Sequence, residues 1–163
     1  MKRLISLMLL LCLLLTGCSS LGERVKEPVK FYYIRQDYLE DMESVISSEV
    51  REASGHRYDL PYLLALYSMG PSSSKLVSPF PRNTKILPVE HSEEGLVLSI
   101  MDEIHTMTDA EYTVASACLA MTCFEIIDAE QITVVCGDRS VAIRKDNLLM
   151  HSSSEAMKPE ESK

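Results

Sequence analysis

The sequence predicts an α+β fold: one small sheet of mixed and antiparallel strands with two helices packed on one of its faces. Three observations carry this expectation. Runs rich in Val, Ile, Tyr and Phe recur between turn signals, as strands do. The stretch Thr108 to Phe124 is capped at its start and apolar on nearly all sides, as a helix between layers would be. The two helical stretches separate pairs of strands, and a sheet with both helices on one face would bury both helical stripes.

Taken in order, Val29 to Arg35 (VKFYYIR) is aromatic and β-branched and reads as a strand. Gln36 to Glu43 is an acidic turn, in which Glu40, Asp41 and Glu43 make a hydrated run. Val45 to Ala53 suits a strand or a weak helix, and a strand paired with the first is preferred. His56 to Asp59 is a loop. Leu60, Leu63, Leu64 and Tyr67 then fall at i, i+3, i+4 and i+7, one face of a helix. Asp59 can cap that helix, Pro61 fits its first turn, and Gly70-Pro71 ends it.

Pro71 to Asn83 reads as a loop. Thr84 to His91 and Leu96 to Met101 form a hairpin, with Pro88 marking an edge or a bulge. Thr108-Asp109-Ala110-Glu111 is a capping box opening the long helix. Gln131 to Cys136 alternates around Ile132 and Val134 as a strand, Gly137-Asp138 turns, and Val141 to Ile143 is a short return strand. Residues 147–163 read as a polar, disordered tail.

The first residues carry an address. Lys2 and Arg3 precede an apolar run, Leu4 to Leu15, broken only by Ser6, and Leu15-Thr16-Gly17-Cys18 follows. A positive start, a short apolar core and small residues before a cysteine describe a secretory signal with a lipobox. The core is shorter than the ~20 residues that span a bilayer. The expectation is cleavage after Gly17, a diacylglycerol on the Cys18 thiol, and attachment to the extracytoplasmic face of the cell membrane. Residues 18–28 are then a lipidated linker and residues 29–146 a single domain. Each buried methylene contributes ~0.8 kcal/mol, so two or three acyl chains hold firmly where one would not.

The chain has 16 Lys+Arg against 24 Asp+Glu, a net charge of −8. Loss of Lys2 and Arg3 would leave 14 against 24, or −10. Nucleic acid is an improbable partner for so acidic a chain, because phosphate contacts need a basic face. Of five cysteines, Cys12 leaves with the signal and Cys18 is lipidated. Cys118, Cys123 and Cys136 remain in apolar company, where thiols behave as small hydrophobes; one bridge, such as Cys123 to Cys136, stays open.

The run from Leu60 to Gly137 resembles the GerMN domain of sporulation and spore-germination proteins. The match rests on an ordered set. Leu63 to Pro71 (LLALYSMGP) resembles a helix closing in Gly-Pro, and Leu76 to Leu87 a loop entering a strand through Pro-x-x-Thr-x-Ile. Glu94 to Ile100 resembles the hairpin, Thr122 a threonine near the end of the buried helix, and Ile132 to Gly137 the final strand with its glycine. Val29 to Ile34 fits the opening strand. Ser99 stands where the family often has an acid, and the strand after Gly137 is shorter than the family's. The helix–strand–strand–helix–strand core also resembles ring-building motifs of envelope machines. The resemblance implies scaffolding at an envelope, an envelope protein partner and possible self-assembly, with no catalysis.

Chemistry finds little purchase elsewhere. Ser72-Ser73-Ser74-Lys75 contains the Ser-x-x-Lys pattern of penicillin-binding enzymes, but Pro71 and the serine run favour a loop and no Ser-Asp-Asn or Lys-Thr-Gly partner exists. His56, His91, His105 and His151 are scattered; Glu93, Glu94, Asp102 and Glu103 lie near two of them without HExxH spacing. Met101, Met107 and Met121 read as core filling. No catalytic, cofactor or metal-binding residue is assigned, and the alternative to a scaffold is a lipoprotein that binds a cell-wall fragment or small molecule.

Overall fold

The computed structural model describes residues 27–37, 44–81, 84–91, 95–101, 104 and 106–152. Within them the chain runs β1 (Pro28–Arg35), β2 (Ile46–Glu52), α1 (Leu60–Ser68), β3 (Leu76–Val77), β4 (Ile86–His91), β5 (Gly95–Ile100), α2 (Asp109–Ile126), β6 (Gln131–Cys136), β7 (Arg139–Arg144) and α3 (Lys145–Ser152). The class is α+β, with the strands shared between two sheets: β2-β1-β3 and β4-β5-β6-β7. A single sheet was the expectation. The division follows from α2, whose side chains Tyr112, Ala115, Leu119, Ala120, Thr122, Cys123 and Ile126 are buried around most of its circumference. Such a helix needs layers on more than one side, and it packs on β1 as well as on β6 and β7.

The first sheet is short of strands. β2 pairs antiparallel with β1 along its whole length, but β3 pairs only with Ile34 and Arg35. Further along that edge a helix side chain substitutes for a strand. The Tyr32 N–H donates to Thr122 Oγ1 at 3.0 Å, while the same hydroxyl donates to the Cys118 carbonyl at 2.9 Å. Thr122 is fully buried, so both bonds are shielded from water.

The second sheet completes itself. β4 and β5 form the antiparallel hairpin, β6 runs parallel to β5 after the α2 crossover, and β7 returns antiparallel to β6. Leu96, Leu98, Ile100, Ile132 and Val134 alternate onto the inner face and are buried. At Gly95 a Cβ would lie 2.5 Å from the Gln131 carbonyl oxygen, so this start of the parallel pairing admits only glycine without rearrangement. Register shifts between Pro88 and Glu90, the bulge that Pro88 foretold.

The caps behave as read. Asp59 accepts from the Tyr62 amide, and Thr108 and Glu111 close the capping box. The Glu111 carboxyl is held below its ordinary range by the Thr108 amide and hydroxyl. Arg139 fastens the start of α2 to β7: it reaches Asp109 at 2.8 Å and the Met107 carbonyl at 3.1 Å, with its guanidinium 4.7 Å from the Tyr112 ring centroid.

Three further expectations are corrected. The loop after α1 contains the small strand β3, which two residues cannot announce by periodicity. The return strand is β7, six residues from Arg139 to Arg144, because all of it pairs with β6. Helix α3 enters the stretch read as a disordered tail; its start is tied by Lys145 Nζ to Asp128 at 2.8 Å and by the Lys145 amide to the Glu130 carbonyl.

Candidate interaction surface

Strand β2 places Glu49 and Arg51 on one face, because residues two apart share a side of the pleat. Both side chains are nearly buried. Arg51 donates to Glu49 Oε1 through Nε at 2.6 Å, to the Leu66 carbonyl at 3.2 Å and to the Gly70 carbonyl. Its guanidinium also lies over the rings of Phe31 and Tyr33. Glu49 in turn accepts the backbone amides of Ser72 and Ser73 at 3.0 Å. This node binds the orphan carbonyls at the end of α1, and pins the loop that follows. Burial opposes the charge on Glu49, but the two amides and Arg51 outweigh it, and the carboxyl titrates below its ordinary range.

Gly70, at φ +86°, lets the chain leave the helix toward this node. Below it the rings stack. Tyr67 lies 5.0 Å from Tyr33 and 6.4 Å from Phe31, centroid to centroid, and the Tyr33 hydroxyl donates to the Tyr67 carbonyl. Burial drives the Tyr67 phenol well above its ordinary range. The Tyr32 phenol, on the opposite side of β1, is pushed up to about 12 by burial and by its hydrogen bond to Glu125.

So fixed, α1 forms one wall of an apolar groove and β4 the other. The groove has a volume of about 390 Å³ and is lined by Pro61, Ala65, Ser68 and Met69 on the helix side and by Thr84 to Pro88 on the strand side. Met69 is 80% exposed and Leu87 48% exposed. Val89, in the bulge, is 65% exposed. Among the described residues β4 has a sheet neighbour on one side only, and Pro88 removes one of its backbone donors. The groove therefore offers apolar side-chain contact more than a template for an added strand. A second hollow, about 540 Å³, lies on the far side of Ser68 and Met69, lined by Ser72, Ser73, Ser74, Ser78, Leu76 and Phe80 among others.

The residues singled out by sequence sort plainly. Cys18 and the signal lie outside the described residues, as do Glu40, Asp41, Glu43, Glu93, Glu94, Asp102, Glu103 and His105. Ser72 to Lys75 is a loop, with Ser72 and Ser73 committed through their amides to Glu49. His56 is exposed and 3.2 Å from Asp59. Among the described residues no group of three or more His, Cys, Asp or Glu is placed to hold a metal. Cys118, Cys123 and Cys136 are buried, and burial pushes the thiols of Cys118 and Cys123 up to about 12. Met107 packs against the core, but Met101 is 61% exposed, so it is not core filling: it follows the last inward residue of β5, Ile100, and points the other way. The Glu49–Arg51 node was missed. The sequence signal for it was a Glu-x-Arg pair at strand spacing, where an inward face ordinarily carries apolar residues.

No family model and no curated protein matches this chain. Among solved structures it is similar to one described as "Putative Lipoprotein from Clostridium perfringens", at 15% identity and a TM-score of 0.42, over 75% of this chain and 89% of that one.

Proposed function

We propose that this protein is a non-enzymatic lipoprotein, held by lipid on Cys18 at the extracytoplasmic face of the cell membrane, whose GerMN-like domain docks an envelope protein in sporulation or envelope assembly. The observation that carries the docking role is the apolar groove between α1 and β4. Solvent-facing Met69 and Leu87 line it, and their burial against a partner is favourable at ~25 cal/mol per Å². The lipobox supports the anchor, and the ordered matches from Leu63 to Gly137 support the family. The anchor then concentrates the groove at the surface where its partner resides.

Crosslinking in cells tests this directly. A photoreactive residue at Leu87 should trap one envelope protein reproducibly, while the same residue at Ser48, exposed on the other sheet, should not. Equal or absent trapping at both positions would remove the groove from the argument. A second reading, capture of a cell-wall fragment or small molecule, is favoured by the serine-rich hollow beside the groove. Saturable binding of muropeptides that is lost in Ser74→Leu would establish it over the first.

A further inference from the structure

The chain enters the described structure at Glu27 and Pro28, and the loop His56–Asp59 lies against that entry. Arg57 donates from its guanidinium to the Pro28 carbonyl, and the Ala53 amide donates to the Glu27 carbonyl at 3.0 Å. Outward from this attachment stand aromatic rings. Tyr58 is 81% exposed, with the Arg57 guanidinium 6.0 Å from its ring centroid. Tyr62, 38% exposed, stacks on His56 at 4.2 Å. Rings with an apolar body and a polar tip are the side chains that settle at a membrane–water boundary.

The distance to the bilayer is short. The ten residues from Ser19 through Pro28 span at most ~35 Å when extended. Lipid on Cys18 therefore keeps this end of the domain within ~35 Å of the headgroups, and Met69, at the other end of α1, lies ~13 Å further along the helix. We propose that the loop His56–Asp59 and the first turn of α1 form a membrane-contact surface, with Tyr58 and Tyr62 in the headgroup layer of the bilayer that holds the anchor. The inference rests on the lipid-anchor reading. A contact this small is weak when free in solution, but the tether makes it intramolecular and raises its effective concentration. Charge does not drive it: the linker and this end of the domain carry Arg24, Lys26 and Arg57 against Glu23, Glu27, Glu52 and Asp59, so anionic lipid brings no gain.

The chain contains no tryptophan, so Tyr58→Trp supplies a single reporter. The lipidated full-length variant is mixed with phosphatidylcholine vesicles carrying brominated acyl chains. Flotation reads the anchor, and emission reads the loop. The expected result is flotation together with a blue-shifted emission, quenched several-fold more strongly than in Met69→Trp, and unchanged when phosphatidylglycerol replaces part of the phosphatidylcholine. Flotation with unshifted, unquenched emission would overturn the membrane contact and leave the anchor standing. So would equal quenching in Met69→Trp, and a gain with phosphatidylglycerol would overturn the ring-based contact. Failure to float would overturn the anchor reading and this inference with it.

Discussion

The two sheets reach the same end by different means. In the second sheet every strand finds a strand, and the inner residues Leu96, Leu98, Ile132 and Val134 are held mainly by packing, with one buried side-chain hydrogen bond from the Tyr112 hydroxyl to the Val134 carbonyl. In the first, β1 has a full partner on one side only, and polar side chains finish the work: Thr122 on its open edge, Glu49 and Arg51 on the loop after α1. One half of the molecule is therefore sensitive mainly to lost volume, its ion pairs Arg139–Asp109 and Lys145–Asp128 having their carboxylates in solvent. The other is sensitive to single hydrogen bonds and to acid. The groove lies where α1, anchored by the polar half, meets β4 of the apolar half, so both kinds of damage reach it.

The contrast can be tested in order of expected effect. Leu119→Ala, at the fully buried centre of α2, removes volume from both halves and should cost ~2–5 kcal/mol in denaturant titration. Arg51→Ala should cost ~2–4 kcal/mol, because it leaves Glu49 and the carbonyls of Leu66 and Gly70 without their charged donor. Equal resistance of Arg51→Ala and wild type would erase the distinction between the sheets. Thr122→Val keeps the shape and removes the acceptor for the Tyr32 amide. It should cost ~1–3 kcal/mol, with faster hydrogen exchange at Tyr32 and little change at Val134.

Acid should act more strongly on the first sheet, because Glu49 is nearly buried whereas the depressed carboxyls of Glu111 and Asp128 lie in solvent, where such pairs contribute little. The Glu49 carboxyl is depressed in the folded state, so its contribution is present above the ordinary glutamate value of 4.5 and is lost as pH falls through the lower folded value. Below pH 4.5, amides of Ser72 and Ser73 should lose protection before those of β5 and β6, and Glu49→Gln should remove that order. The smallest effect on stability belongs to the groove: Leu87→Asp, on a surface position, should change stability by no more than ~0.5 kcal/mol while abolishing partner crosslinking.

Local signals carried most of the architecture. The alternation of β5 and β6, the i, i+3, i+4, i+7 stripe of α1, both helix caps and the Pro88 irregularity are written in short windows, and each stands where those windows place it. What escaped depends on distant partners. β3 is two residues that become a strand only against Ile34 and Arg35. The division into two sheets follows from how α2 is surrounded, and no window contains that. The candidate surface was not legible in the sequence, because its walls come from segments far apart in the chain and α1 is held in place by Arg51 from a third.

The Tyr32–Thr122 hydrogen bond joins residues 90 positions apart. It sets an order of events for the chain as it emerges. β1 and β2 can form a hairpin early, but the open edge of β1 waits until α2 has been made and delivered. A hairpin alone is marginal in water, and closing so long a loop is entropically slow to repay. The open edge of β1 therefore stays unfinished until the C-terminal half exists, a delay that suits a chain threaded through a narrow pore before it folds.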